Sequence, residues 1–520
     1  MKNKIDQSAY KLMASGGDHR IAIDEKIGFN KYGCKPFPSY SISYSSSTGS
    51  NISSSAYAYI KSYIHKLRVE KGEKNIEDVQ ILKREFETIR QRLRTFYELD
   101  PDVEIIFGPS GTDMEYLTIL FALKAGESHI HNIVLGANEV GSGIEFAAEG
   151  QYFSDRTPID NALKKVGESI EGMPSDRVST AYIPIRNTRG EVYSSEQILE
   201  HFNREIKQAL ATGQRPLVHI VHATKTGLIL PSWETLMKLK NEYGTAIDLV
   251  VDACQGRISI YSINRYLSFG AMVLLTGSKF LSGPPFSGAL LLPQILAKRI
   301  VSIQNLPKGL TDFFGEAEFP VKWTTGEKQT DNLENFGLLL RWQASIYEMD
   351  KLFKIPNTQL KFIIDCFLKS VDKMVNDTPF LSLYENTVEK KPDYVYKRNP
   401  FEINTICTLL IRNKNERRFD KEDAKLIHKA LYSDISNIAG HNALAKTSVQ
   451  LGQPVKISDT DKNCNATLRV ALSAHLISEL ALLDEDMIKM RFFADMDRIK
   501  KKLSLILDYF DTLKKHIAIA

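Results

Sequence analysis

Short apolar runs that end abruptly in polar residues recur through the middle of this chain, and they restrict its fold more than any other feature. Residues 103–107, 131–136, 217–222, 247–252 and 271–276 each read as a strand. Segments with helical spacing lie between some of them, at 116–124, 195–211 and 233–243. Strands that are apolar on both faces must be covered on both faces, so this alternation specifies a mostly parallel sheet sandwiched by helices. Ligands of such sheets collect at the carboxyl ends of the strands, which makes the residues just after each run the place to look for chemistry.

At 520 residues the chain is too long for one ordinary domain. Its first 60 residues are irregular, and 39–55 are rich in serine. Tyr40, Ile42, Tyr44 and Ile52 interleave with those serines. Two readings stay open there: a solvated tail, or an ordered arm whose apolar residues pack on another surface. Residues 56–99 carry helical spacing through Val79, Leu82, Phe86, Ile89, Leu93 and Phe96, and the Lys and Arg between them read as a solvated face. A long connection without periodicity fills 305–330, a helix starts near Asn332, and a smaller α/β region follows from about 357. The last helix, 485–516, carries a stripe through Ile488, Phe492, Met496, Ile499, Leu503, Ile506 and Phe510, which reads as core packing. The expected fold class is therefore α/β, in four parts. These are an N-terminal arm and helices (1–99), a large domain (100–330), a connecting helix (331–356) and a small C-terminal domain (357–520).

Composition narrows the function classes. Lys and Arg total 67 against 63 acidic residues, a net charge of +4 that gives no electrostatic footprint for nucleic acid. No apolar run approaches the length needed to span a bilayer, and no hydrophobic segment follows Met1 to act as a secretory signal. Cys34, Cys254, Cys366, Cys407 and Cys464 are odd in number and widely spaced, with no CxxC pair; the histidines form no HExxH. A cytoplasmic, metal-free protein is expected.

Three segments stand at the ends of expected strands and look chemically arranged. Gly108-Pro109-Ser110-Gly111-Thr112-Asp113 opens a helix, so glycine, hydroxyls and free N–H groups meet where a phosphate could sit. Asp252 ends a buried run, where a carboxylate is costly unless something cationic meets it. Lys279 ends another, hemmed by Thr276, Gly277, Ser278, Ser282 and Gly283, unlike a surface lysine. Asp252 and Lys279 lie 279 − 252 = 27 residues apart, about one strand–crossover–strand unit. Pyridoxal phosphate needs a lysine for its imine, a carboxylate for its ring nitrogen and a phosphate cup, and all three occur in the expected order.

On these residues the sequence resembles the fold-type-I pyridoxal-phosphate enzymes, on the aminotransferase class V and cysteine desulfurase branch. The resemblance covers roughly 103–344 and, more faintly, 448–479. It implies that Lys279 is the Schiff-base lysine, that Asp252 pairs with the ring nitrogen and that Gln255 reaches the ring oxygen. Ser110, Gly111 and Thr112 match the phosphate cup, with Thr276 and Ser278 as donors just before the lysine. His222-Ala-Thr-Lys-Thr-Gly227 resembles a segment whose central polar residue, here Thr224, sits beside the ring. Gln329-Thr330-Asp331-Asn332 resembles the segment that reaches the neighbouring subunit's phosphate through Thr330, which implies a homodimer with shared sites. Arg469, within Ala466-Thr467-Leu468-Arg469-Val470, matches an arginine that clamps the substrate carboxylate.

Two departures stand out. The position of the catalytic cysteine in one desulfurase group is Leu451 here, and Cys464 does not align with it. The ring-stacking position falls in Gly136-Ala-Asn-Glu-Val-Gly-Ser-Gly143, with Asn138 or Glu139 nearest and no aromatic. The expected activity is pyridoxal-phosphate chemistry on a small amino acid or amine. Aminotransfer comes first, a lyase, decarboxylase or carbon–carbon-bond-forming reaction second, and desulfuration third. A catalytically dead binding module is the non-enzyme alternative, and the presence of Lys279 argues against it.

Overall fold

The apolar runs become strands because their Val and Ile side chains pack well on a pleated surface while the ladder pairs the backbone amides. The computed structural model describes residues 4–71, 78–123, 129–298, 306–323, 334–384, 400–413, 417–458 and 466–517. In chain order the strands are β1 (Ile42–Tyr44), β2 (Glu104–Gly108), β3 (Ile130–Leu135), β4 (Val178–Ile183) and β5 (Arg215–His222). Then come β6 (Ile229–Leu230), β7 (Asp248–Asp252), β8 (Met272–Thr276) and β9 (Gly288–Leu292). The last four are β10 (Leu381–Leu383), β11 (Ile406–Ile411), β12 (Val449–Lys456) and β13 (Ala466–Ala471).

The large sheet runs β2-β9-β8-β7-β5-β3-β4, with β6 paired to β5. Strands β8, β7, β5, β3 and β4 are parallel, whereas β9 is antiparallel to both its neighbours. The five expected strands are present, each within two residues of its expected bounds. Strand β4 is an edge strand with mostly half-buried positions, so it lacks the apolar run that marks the others. At the end of the sheet remote from the site, Arg215 on β5 forks onto Asp248 on β7, with Nε–Oδ2 at 2.6 Å and Nη2–Oδ1 at 2.9 Å. The helix Gly111–Leu123 is buried on nearly every face, which explains why it shows no amphipathic period.

The second sheet runs β1-β12-β13-β11-β10 and is antiparallel except for the β1–β12 pair. The serine-rich segment is thus an ordered arm. Its strand β1 extends this second sheet, and Tyr44 stacks on Phe367 at 6.0 Å. Ser45, Ser46, Ser47, Ser50 and Ile52 are buried, but Tyr40, counted among the anchors, is fully exposed.

Residues 56–99 form two helices, Ser54–Lys71 and Val79–Tyr97. One basic residue departs from the solvated-face reading. Arg90 is buried and donates to the carbonyls of Ile105 (2.9 Å), Ala317 (3.2 Å) and Glu318 (2.7 Å). The C-terminal stripe is core from Ile488 to Ile506, with Phe510 half-buried on a separate helix, Phe510–Ile517. Among the described residues no helix is long and apolar enough to cross a membrane.

Candidate active site

A cavity of about 150 Å³ lies at the carboxyl ends of β2, β5, β7 and β8, where a parallel sheet collects its ligands. Ser110, Gly111 and Thr112 contribute the first turn of the helix after β2, and Asp252 and Cys254 follow β7. Thr276, Ser278 and Lys279 follow β8, and Arg469 enters from β13. Eight of the expected site residues therefore share one cavity.

The cup is built by close approach. A Cβ on Gly111 would lie 2.3 Å from Cys254 Sγ, and one on Gly141 would lie 2.6 Å from Thr112 Oγ1. Larger residues would fill the space before the helix N-terminus. The hydroxyls of Thr112 and Ser278 have no partner among the described residues and are available to a ligand. The Thr276 hydroxyl is already engaged, donating to the Cys254 carbonyl at 2.6 Å.

Lys279 holds a left-handed backbone, φ 56°, which costs about 1–3 kcal/mol for a residue with a Cβ. Its surroundings fix it: Ser50 Oγ donates to the Lys279 carbonyl at 2.5 Å, and Ser282 N donates to the same carbonyl at 3.2 Å. The half-buried amine has no hydrogen bond or ion pair among the described residues. On the neighbouring strand Asp252 accepts from Cys254 N at 2.9 Å through Oδ1. Beneath it, burial and the Asp252 charge push the Glu115 carboxyl well above its ordinary range. Burial likewise lowers His219, whose Nδ1 lies 3.4 Å from Glu115, to about 3. Asp252 and Glu115 both line the cavity, and burial disfavours the charged form of Glu115.

Two expected site residues are elsewhere, and a third lies outside the described residues. Thr224 is buried behind the wall, donating to Glu139 Oε2 at 2.9 Å; its neighbour Lys225 lines the cavity instead. Gln255 is taken up by the protein itself, with Nε2 donating to the Ser47 carbonyl at 2.9 Å and Oε1 accepting from Arg257 at 3.3 Å. Thr330 lies outside the described residues, as do Gln329, Asp331 and Asn332, and Cys464. Neither residue expected nearest to the ring faces the cavity. Asn138 is exposed, and Glu139 pairs with Arg186 at 2.5 Å; Val140, Gly141 and Ser142 form that wall.

The sequence reading also missed Arg20, Tyr32, Ser47, Thr48, Glu115 and Lys225, all of which line the cavity. Lys225 alone left a signal, because it follows a buried strand end as Lys279 does. Arg469 is buried and fully occupied: its three guanidinium nitrogens make hydrogen bonds to Gln453 O, Ser47 O, Lys225 O and Thr48 Oγ1. Burial lowers its pKa to about 9.

Asp113, in the first turn of the same helix, is completely buried and accepts from Ser110 Oγ at 2.5 Å, and its Oδ1 has no partner among the described residues. Burial pushes its pKa up to about 7. The protonated form is the stabilising one, so its contribution is complete below about pH 4 and is lost as pH rises through 7. Asp113→Asn should therefore gain about 2–3 kcal/mol of stability on wild type between pH 5 and pH 8. Thermal melts at the two pH values check this; an unchanged gap between variant and wild type would contradict it.

No protein-family model and no curated protein matches this sequence. Solved structures do resemble the fold. The cystine C–S lyase C-DES, in complex with its reaction product cysteine persulfide, is 13% identical with a TM-score of 0.51, over 88% of this chain and 98% of that one. The cysteine desulfurase CsdA from Escherichia coli is 11% identical with a TM-score of 0.52, over 91% of this chain and 97% of that one. The glutamate decarboxylase domain of a diaminobutyrate–pyruvate transaminase and L-2,4-diaminobutyrate decarboxylase from Vibrio parahaemolyticus is 11% identical with a TM-score of 0.51, over 88% and 79% of the two chains. The chain has the fold of the fold-type-I pyridoxal-phosphate enzymes.

Proposed function

We propose that this protein is a pyridoxal-phosphate-dependent enzyme that acts on an amino acid or amine through Lys279. The observation that carries the proposal is a lysine amine with no partner among the described residues and a strand-end carboxylate in one cavity, beside a glycine-shaped cup at a helix N-terminus. The residues fit the group: Lys279 would hold its aldehyde, Asp252 its ring nitrogen, and Ser110, Gly111, Thr112 and Ser278 its phosphate. Bound there, pyridoxal phosphate supplies an electron sink for chemistry at the substrate α-carbon. Asp252 would hold a proton at the ring nitrogen, and the Lys279 amine would move the α-proton. Arg469 adds a buried positive charge to the wall that an α-carboxylate would face.

Aminotransfer is the reaction we put first. The likeness to a C–S lyase, a desulfurase and a decarboxylase domain favours a lyase as the second reading. Desulfuration through an enzyme thiol has little support. Leu451 is buried at the desulfurase position, and Cys254 is the one described cysteine on the cavity, where burial and Asp252 push its thiol well above the ordinary range. A screen of amino acids against the loaded enzyme, read by cofactor absorbance and by mass spectrometry of products, tests this. A 2-oxo acid whose appearance depends on a second 2-oxo acid is expected. Sulfide or carbon dioxide as the product would move a lyase or decarboxylase to first place, and no spectral response to any amino acid or amine would remove the reading altogether.

The resemblance of the segment around Thr330 supports a homodimer with shared sites. Light scattering should give twice the chain mass of 58.8 kDa, and a fully active monomer would contradict sharing.

A further inference from the structure

The cavity contains a second lysine that the proposed chemistry does not use. Lys225 sits in the tight turn between β5 and β6, and its backbone N–H donates to Glu139 O at 2.9 Å. The threonines on either side turn inward, Thr224 Oγ1 and Thr226 Oγ1 both donating to Glu139 Oε2, at 2.9 and 2.5 Å. Arg186 holds the other oxygen of that carboxylate at 2.5 Å. This buried network fixes the turn and leaves Lys225 on the cavity wall. Its amine has no hydrogen bond or ion pair among the described residues.

The nearby cation is differently placed. Arg469 donates twice to Gln453 O and once each to Thr48 Oγ1, Ser47 O and Lys225 O, so its guanidinium binds the N-terminal arm and the turn. Beside it the Ser47 hydroxyl is buried, 1% exposed, lines the cavity and has no partner among the described residues. A donor with no acceptor and an amine with no anion, in one small cavity, are both satisfied by a carboxylate.

We propose that Lys225, helped by the Ser47 hydroxyl, binds the carboxylate of the amino-acid substrate, whereas Arg469 pins the N-terminal arm against the cavity. This rests on the reading of the site as a pyridoxal-phosphate site. Burial, then the charges of Arg469 and Lys279, lower the Lys225 pKa to about 7, with Glu139 and Asp252 opposing. An incoming anion would restore the charged form.

The test uses the full chain loaded with pyridoxal phosphate and two half-substrates. Propionate, followed by titration calorimetry, carries the carboxylate alone; propylamine, followed by cofactor absorbance, carries the amine alone. Lys225→Met should weaken propionate roughly 10- to 100-fold and leave cofactor uptake and the propylamine response unchanged, and Lys225→Arg should restore most of the loss. Should Lys225→Met fail to fold, Lys225→Gln carries the same expectation. Unchanged propionate affinity in a folded variant, or a loss confined to cofactor uptake, would overturn the role of Lys225 and leave the proposed function standing. Failure of the wild-type chain to take pyridoxal phosphate on Lys279 would overturn both.

Discussion

Asp252→Ala should retain cofactor uptake on Lys279 and lose turnover by roughly 10²–10⁴-fold. Removing one partner of a buried charge pair typically costs about 3–5 kcal/mol, and each 1.36 kcal/mol lost from the transition state is about tenfold in rate. The size of the effect follows from the surroundings of the carboxylate. Glu115 lies beneath it, where burial, more than the Asp252 charge, pushes its carboxyl well above the ordinary range, so burial still disfavours a second anion when Asp252 is removed. His219 is lowered to about 3 by burial and offers no compensating charge. Asp252→Asn, which keeps the shape but not the charge, should fall nearly as far. Stopped-flow absorbance separates cofactor uptake from turnover. Wild-type turnover in either variant would remove Asp252 from the chemistry.

The two ends of the site were legible in the sequence for a simple reason. An apolar run that stops at Asp252, and another that stops before Lys279, place charged groups where a buried strand meets a cavity, and no distant residue alters that placement. The five strands were legible because their Val, Ile and Leu residues carry the pattern themselves, whereas the half-buried edge strand β4 does not. What failed depended on partners far away in the chain. Thr224 and Lys225 are adjacent polar residues, and only Glu139, 85 residues from Thr224, decides which of them turns inward. The amide of Gln255 is captured by Ser47, 208 residues away, so an arm that the sequence left open as tail or packed segment determines its role. Arg90 shows the same limit, since a basic residue on an exposed-looking face becomes core once the carbonyls of Ala317 and Glu318 reach it. The wall of Val140, Gly141 and Ser142 was missed because the turn after β3 faces Glu139 away toward Arg186.

Lys279→Ala should damage activity as much as any change at Asp252, lowering turnover by roughly 10²–10⁴-fold through loss of the group that moves the α-proton. The folded state should be little affected, because the left-handed backbone at this position is held by Ser50 and Ser282 on the carbonyl rather than by the side chain. Removal of the unpartnered amine breaks no hydrogen bond among the described residues. A melting temperature near that of wild type, together with lost turnover, is therefore the expected signature. A large drop in stability with residual activity would point to a structural lysine.

The presence of Lys225 in the same cavity makes the choice of lysine a sharp question. Borohydride reduction of the wild-type protein loaded with pyridoxal phosphate, followed by proteolysis and mass spectrometry, answers it directly. A pyridoxyl group on the peptide that contains Lys279, at close to one per chain, is the predicted result. Modification of Lys225 instead, or a protein that takes up no cofactor, would contradict it.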